Sequence, residues 1–329
     1  MLQKATGGGA SSGEGTLQGR TRKIVSWKAG IDVSLREAER QLLLHQSSDK
    51  REDKLAVLLL SNDADQLCCA LGNFSGHLAP WTPIDFYVFS VENQMQDALK
   101  RCHLGINMTS VVFLRLHEHW ETPEEAEDPR LWTAATQFSA NYRRMGHWRL
   151  AFQMEFVARL GYNFVLQLDD DSAFTQPVAD NLVVMMKSKN LSMAARNIIP
   201  GDPSDVTQGI AELAKFFLVT ERVQPTTLFS ACQPKNISGL YTSGLGGSKD
   251  GGYSTRYLFG NFVIIAVDFW YQEDVQRFVR LVMRTGAHFR YRWNEQQVQS
   301  LIWQLFVPSD NFHMFDFPYE HPVKPWHTC

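Results

Sequence analysis

An α/β protein with a layered sheet is predicted by three observations. Continuous apolar runs of strand length recur along the chain: LAVLLLS at 55–61, IDFYVFS at 84–90, SVVFLRL at 110–116, YNFVLQL at 162–168 and NFVIIAVDF at 261–269. Between them lie segments whose apolar residues are three and four positions apart, the helical period. Finally, 44% hydrophobic residues in a 329-residue chain are enough for a substantial core in one large domain or two smaller ones. Unbroken apolar runs are the pattern of strands buried on both faces, and helical crossovers between such strands make neighbours parallel.

The elements follow in order. Residues 1–19 are rich in Gly and Ser and predict disorder, whereas Val33 to Leu44 interleaves charges with leucines at helical spacing. Residues 1–53 are thus expected to be a leader and helical lead-in, and 54–329 the sheet domain. After the first strand, Asp63 or Asp65 is placed to cap a helix, and the APWTP break precedes the second strand. The acidic run ETPEEAEDPR leads to a long helix expected from Thr133 to Leu160, closed by Gly161. Residues 181–190 and 206–222 have helical patterns, and 223–258 have the composition of loops. The run at 261–269 is expected to be the last strand, before helices at 271–285 and 294–306.

Composition excludes some functions. A formal net charge of −3 gives no general attraction for nucleic acid or an anionic membrane. Five cysteines without a C-x-x-C pair do not form a structural zinc pattern, and their odd count leaves at least one unpaired or bonded to another chain. The N-terminus lacks the features of a signal peptide, and its longest early apolar run, Leu42 to Leu44, is far short of the roughly 20 residues that span a bilayer. Against this stand four N-x-S/T sequons, at Asn73, Asn107, Asn190 and Asn236, which are acceptors only in a secretory lumen. A membrane anchor outside this chain would reconcile the two.

The fourth apolar run ends in three consecutive aspartates, Asp169, Asp170 and Asp171. The C-terminal ends of parallel strands are where open α/β sheets bind ligands. Alternate residues of an extended chain point the same way, so Asp169 and Asp171 can converge while Asp170 points elsewhere. Two convergent carboxylates make a hard-oxygen site for Mn²⁺ or Mg²⁺, especially one also bound to a diphosphate, as in a nucleotide-sugar transferase. The alternative is a solvated turn in which Asp or Ser caps the next segment.

Four segments in and around this motif resemble glycosyltransferase family 15, the fungal α-1,2-mannosyltransferases. These are NYRRMGHWRLAFQMEFVARLGYNFVLQLDDDSAF at 141–174, the C-terminal segment from FGNFVIIAVDFW to YEHPVKPWHTC, and the upstream LHEHWETPEE and KLAVLLLSND. The resemblance runs from about Lys54 to Cys329. It implies a GT-A-type nucleotide-diphospho-sugar transferase fold, a single mixed-sheet Rossmann-like domain, with GDP-mannose as donor, Mn²⁺ as cofactor and retention of anomeric configuration. Carried across by position, it implies metal-binding roles for Asp169, Asp171 and His321, nucleotide contacts for Tyr142 and Asn62, and an active-site role for Glu295. Each has a plainer reading: His321 as a turn histidine, Tyr142 and Trp148 as core residues, Glu295 as a helix N-terminal acid. Arg143 and Arg144 either approach the diphosphate or are solvated helix charges.

Three departures stand out. The family's Asn-Phe-Glu reads Asn261-Phe262-Val263, its first-strand Arg-Asn reads Ser61-Asn62, and the arginine before its metal motif reads Gln167. The functional expectation is a metal-dependent retaining mannosyltransferase acting on a glycan or glycoprotein acceptor, in the Golgi or ER lumen as a type II membrane protein. A transferase using a UDP-sugar and a noncatalytic glycan-binding protein on a degenerate transferase fold remain as alternatives.

Overall fold

A computed structural model of the 329-residue chain describes residues 30–43, 50–91, 111–116, 120, 122, 128–133, 138–199, 207–228 and 256–322. The disorder expected for 1–19, most of the loop expected at 223–258, and sequons Asn107 and Asn236 lie outside the described residues.

Among the described residues, seven strands form the main sheet: β1 (Leu55–Leu60), β2 (Ile84–Ser90), β3 (Val111–Arg115), β4 (Phe164–Leu168), β6 (Met193–Ala195), β9 (Phe262–Ala266) and β10 (Phe312–Met314). Their order is β10-β6-β9-β4-β1-β2-β3. β1 lies parallel to both β2 and β4, and β2 to β3, as the apolar runs predict. The sheet is nevertheless mixed, because β9 runs antiparallel between β4 and β6. Two small pairs flank it: β5 (Ala173–Phe174) with β11 (Tyr319–Glu320), and β7 (Ile198–Ile199) with β8 (Tyr257–Leu258).

The first described helix, α1, covers residues 30–43. Its Ile31, Leu35 and Ala38 belong to the same buried cluster as the strands. Gln41 seals the edge strand, with Nε2 donating to Phe113 O at 2.8 Å and Oε1 accepting from Phe113 N at 3.0 Å. Helix α2 (Ala64–His77) starts at Asp63, whose side chain accepts from Asp65 N and Gln66 N.

The long helix, α3, spans Ala140–Leu160 and therefore begins seven residues later than the apolar spacing predicts. Ser139 is the reason: it is extended, and its hydroxyl accepts from Tyr142 N. Thr133 is instead tied to Arg290 O through its backbone N–H and its hydroxyl. Gly161 ends α3 in the left-handed region at φ 86°.

The remaining helices are α4 (Leu182–Ser188), α5 (Ile210–Glu221), α6 (Val267–Trp270), α7 (Glu273–Thr285), α8 (Ala287–Arg290) and α9 (Glu295–Phe306). The apolar run at 261–269 is not one strand, since it turns into α6 after Ala266, and it is not the last. β10 and β11 follow it, at three and two residues too short to leave a periodic signature.

Candidate functional site

The parallel strand β4 delivers Asp169 to Asp171 to the C-terminal edge of the sheet. What brings His321 there, 150 residues later, is the pairing of β11 with β5. Glu320 lies opposite Ala173, and Tyr319 opposite Phe174, so His321 is carried back to the acidic turn. Tyr319 is itself fixed by donating its hydroxyl to Asn261 O at 2.8 Å. His321 Nε2 then stands 3.0 Å from Asp171 Oδ1 and 3.4 Å from Asp169 Oδ2. One ligand atom from each of the three lies within 4.8 Å of the others.

The middle aspartate turns away as expected, but through a turn and not through the alternation of an extended chain: β4 ends at Leu168, and Ser172 N donates to Asp169 O at 3.2 Å. Asp170 Oδ1 accepts from Gln66 Nε2 at 2.7 Å, which ties the turn to α2. Burial pushes its carboxyl up from the ordinary value, opposed by hydrogen bonds from Ser61 and Gln66.

Asp169 behaves in the opposite way. Burial works against its charge, but Arg149 and His321 outweigh that effect and hold its carboxyl at about 2. Burial likewise disfavours protonated His321, and the two aspartates overcome it, lifting the imidazole to about 9. Two carboxylates and an imidazole are donors that Mn²⁺ accepts, and the convergence of three such atoms from two distant segments fits a divalent cation.

Arg149 is the residue that the sequence reading missed. It lies on α3 with its side chain only 3% exposed, Nη2 2.5 Å from Asp169 Oδ1 and Nη1 2.9 Å from Glu295 Oε1. The available signal was its position: Gly146, Arg149, Gln153, Phe156 and Leu160 form one buried stripe of α3, and a cation on such a stripe needs an anionic partner.

Glu295, expected in the active site, is the first residue of α9 and is fully buried against Arg149. Tyr142, expected at the nucleotide, has its hydroxyl 3.1 Å from Arg292 Nη2 and 3.5 Å from Asn294 Nδ2, beside the start of α9. Asn62 sits at the end of β1, where its Oδ1 accepts from Ser90 Oγ at 3.0 Å and Val91 N at 3.3 Å and joins the ends of β1 and β2. Of the pair, only Arg143 departs from a solvated helix charge; Arg144 is half-buried. Arg143 is buried and donates to the carbonyls of Phe289 and Thr133, and Arg144 bonds Thr122 Oγ1 and Asn141 Oδ1. Trp148 is a core residue at 1% exposure.

The departures are equally well placed. Val263 is fully buried in β9, opposite Gln167 in β4. Gln167 Oε1 accepts from Gln153 Nε2 and from Gln299 Nε2, each at 2.5 Å.

Comparison with known proteins agrees with this geometry. Residues 232–329 match the sequence model of the family described as glycolipid 2-alpha-mannosyltransferase. A 79-residue stretch is 32% identical to the probable mannosyltransferase KTR4 of Saccharomyces cerevisiae, covering 24% of this chain and 17% of that relative's length. The structure is similar to core-mannan synthase A (CmsA/Ktr4) of Aspergillus fumigatus in its Mn/GDP form. That likeness has a TM-score of 0.66 at 18% identity, over 84% of this chain and 76% of the other. It is similar also to the mannosyltransferase Ktr4p of S. cerevisiae in complex with GDP, with a TM-score of 0.68 at 15% identity, over 94% and 86%. At such identities the structural likeness establishes the fold, which is of the GT-A type. The family match covers residues 232–329, so in its C-terminal block this chain is similar to the glycolipid 2-alpha-mannosyltransferase family.

Proposed function

We propose that the protein is a Mn²⁺-dependent mannosyltransferase that takes mannose from GDP-mannose and places it, with retained configuration, on a hydroxyl of a glycan or glycoprotein. The observation that carries this reading is the convergence of Asp169, Asp171 and His321 at the ligand-binding edge of a GT-A sheet. It is supported by relatives described as mannosyltransferases and by solved structures of that fold holding GDP and Mn. Asp169, Asp171 and His321 would hold the metal, which when bound supplies the positive charge that offsets the departing diphosphate.

The chain's own residues constrain the rest. Covalent catalysis needs a nucleophile beside the anomeric carbon, and the position that resemblance gives to a carboxylate is the buried, apolar Val263. The acceptor oxygen therefore bonds to the anomeric carbon on the face from which the diphosphate leaves. The bond from that carbon to the phosphate oxygen breaks, and the hydroxyl proton passes to the leaving phosphate. Tyr142 and Asn62, at the same side of the sheet, are assigned to the nucleotide.

Thermal-shift profiling with transfer assays tests this. GDP with Mn²⁺ should raise the melting temperature more than UDP with Mn²⁺ or GDP alone, because a ligand bound only by the folded state stabilises it. NMR of the product should give the donor's anomeric configuration. Preference for UDP with transfer from a UDP-sugar would favour a different donor. Binding without transfer or hydrolysis would make the protein noncatalytic.

The compartment we propose is the Golgi or ER lumen. No described helix is long and apolar enough to cross a membrane, so the type II anchor of this reading would lie outside those helices. Cys68 and Cys69 are disulfide-bonded, which suits an oxidising compartment. The sequons divide. Asn73 spends both amide atoms on the backbone of Phe174, at 2.9 and 2.8 Å, whereas Asn190 is exposed after α4. On secretory expression, Asn190→Gln should remove a glycan and Asn73→Gln should not change the mass of the sugar; a cytosolic native protein would refute the assignment.

A further inference from the structure

We propose that Arg149 is a positioning residue for Asp169, and that Glu295 acts on the site only through Arg149; this rests on reading Asp169, Asp171 and His321 as the metal ligands. The guanidinium is a rigid planar fork with one arm on each carboxylate, Nη2 on Asp169 Oδ1 and Nη1 on Glu295 Oε1. The Glu295 end is the fixed one. It opens α9, where Asn294 and Gln297 form a reciprocal capping box. It also lies where α3 and α9 approach closely, since a Cβ on Gly146 would stand 3.1 Å from Glu295 Oε2 and 3.3 Å from Asn294 Cα. The fork transmits that rigidity to Asp169. With Oδ1 held by Arg149, Asp169 presents Oδ2 toward His321 and is a one-oxygen ligand.

A second layer of the same three elements identifies what is special about the first. One helical turn further along α3 and α9, and two residues back along β4, Gln153, Gln299 and Gln167 form an amide cluster from the same three elements, centred on the β4 side chain instead of the α3 one. The repeat follows from geometry, because four helical residues advance about 6 Å and two strand residues about 6.7 Å. Arg149, Glu295 and the three glutamines are all buried, yet only the layer touching the aspartate turn carries charge. A structural clamp between these helices and β4 is met by amides; the charged version is used where a carboxylate must be held and aimed.

Arg149→Met, Arg149→Lys, Glu295→Gln and the double variant Arg149→Met/Glu295→Gln would be compared in the full chain. The readout is Mn²⁺ affinity in the presence of GDP, by electron paramagnetic resonance of free Mn²⁺, with Asp171→Asn alongside. Loss of a residue that orients a metal ligand costs about 10- to 100-fold in metal affinity. Arg149→Met should fall in that range, Arg149→Lys should recover part of the loss, and Glu295→Gln should cost severalfold. The double variant should bind no more weakly than Arg149→Met, because residues acting in series are not additive. It also removes both buried charges, and so stands in for Arg149→Met if that variant alone does not fold. Wild-type affinity in Arg149→Met or the double variant, with Asp171→Asn unable to bind Mn²⁺, overturns the positioning role. Multiplying losses overturn the series arrangement. Wild-type affinity in Asp171→Asn would instead bring down the reading of the metal ligands, and this inference with it.

Discussion

At the N-terminal ends of β1, β2 and β4, Lys54 Nζ lies 3.1 Å from Asp85 Oδ1, Tyr162 donates its hydroxyl to Asp85 Oδ2 at 2.6 Å, and Tyr87 meets Tyr162 at 2.6 Å. At the C-terminal ends of the same sheet, Asp169 and Asp171 face His321. Both groups set carboxylates against a cationic nitrogen, but the first has a permanent occupant. Lys54 and Asp85 are 7% and 3% exposed, both oxygens of Asp85 have partners, and burial keeps both phenols protonated as donors. Asp169, Asp171 and His321 are 24%, 16% and 14% exposed, and the histidine can surrender its proton to a metal. A closed network contributes fixed structure; an accessible one with a replaceable cation is a binding site.

Breaking the accessible end should have the largest effect on activity and a small one on stability. Asp169→Ala and His321→Ala should each lower Mn²⁺-dependent transfer by about 100-fold or more, since a metal contributes several kcal/mol at the transition state. Melting temperatures, measured near pH 9 where the raised His321 contributes least, should fall less than for the closed end, because Arg149 keeps Glu295 as a partner. Unchanged manganese dependence of transfer in both variants would remove the assigned difference between the two ends.

Breaking the closed end should reverse the pattern. Asp85→Ala leaves the Lys54 ammonium buried without its anion, at a cost of about 3–5 kcal/mol by urea unfolding. Replacing the pair together, as Lys54→Met/Asp85→Leu, should recover much of it. Transfer per folded molecule should remain near wild type in both. A loss of kcat in a well-folded variant would mean that this end, too, serves the reaction.

These two ends were not equally legible in the sequence. The acidic turn stood out because three charges interrupt an apolar pattern, and resemblance then supplied His321. Lys54, Asp85 and Tyr162 went unremarked because each sits at the boundary of an apolar run, where a polar residue looks like an ordinary strand end. The parallel half of the sheet was readable for the same reason as the acidic turn: β1, β2 and β4 are long, continuous runs. Placing β9 antiparallel beside β4, and closing β11 on β5, depend on pairings across about 100 to 150 residues that no local pattern records. Arg149 was harder to see, because α3 is buried on nearly every side and the stripe that carries Arg149 does not stand out from the helix's other buried faces.

The smallest effect expected is one that mild acid produces outside both of these networks. His147 on α3 and His288 on α8 are stacked, with ring centroids 5.0 Å apart and Nδ1 of His147 2.9 Å from Nε2 of His288. Burial lowers His147 to about 4, and burial together with His147 pushes His288 well below the ordinary value. With folded values below the unfolded one near 6.5, the unfolded chain binds protons first as pH falls. The stability these rings contribute is complete above 6.5 and declines toward pH 4, by about 1.4 kcal/mol per pH unit for each ring. His321, raised to about 9, acts with the opposite sign and in another window: its contribution is complete below 6.5 and is lost as pH rises toward 9. Urea unfolding at pH 7.5, 6.5 and 5.5 separates them. Between 6.5 and 5.5 the wild type should lose roughly 1–3 kcal/mol, and His147→Phe/His288→Met should lose distinctly less, with Asp170 common to both and cancelling in the comparison. Equal slopes in the two proteins would show that the stacked pair does not govern the acid limb, and would return that sensitivity to the charged groups at the ends of the sheet.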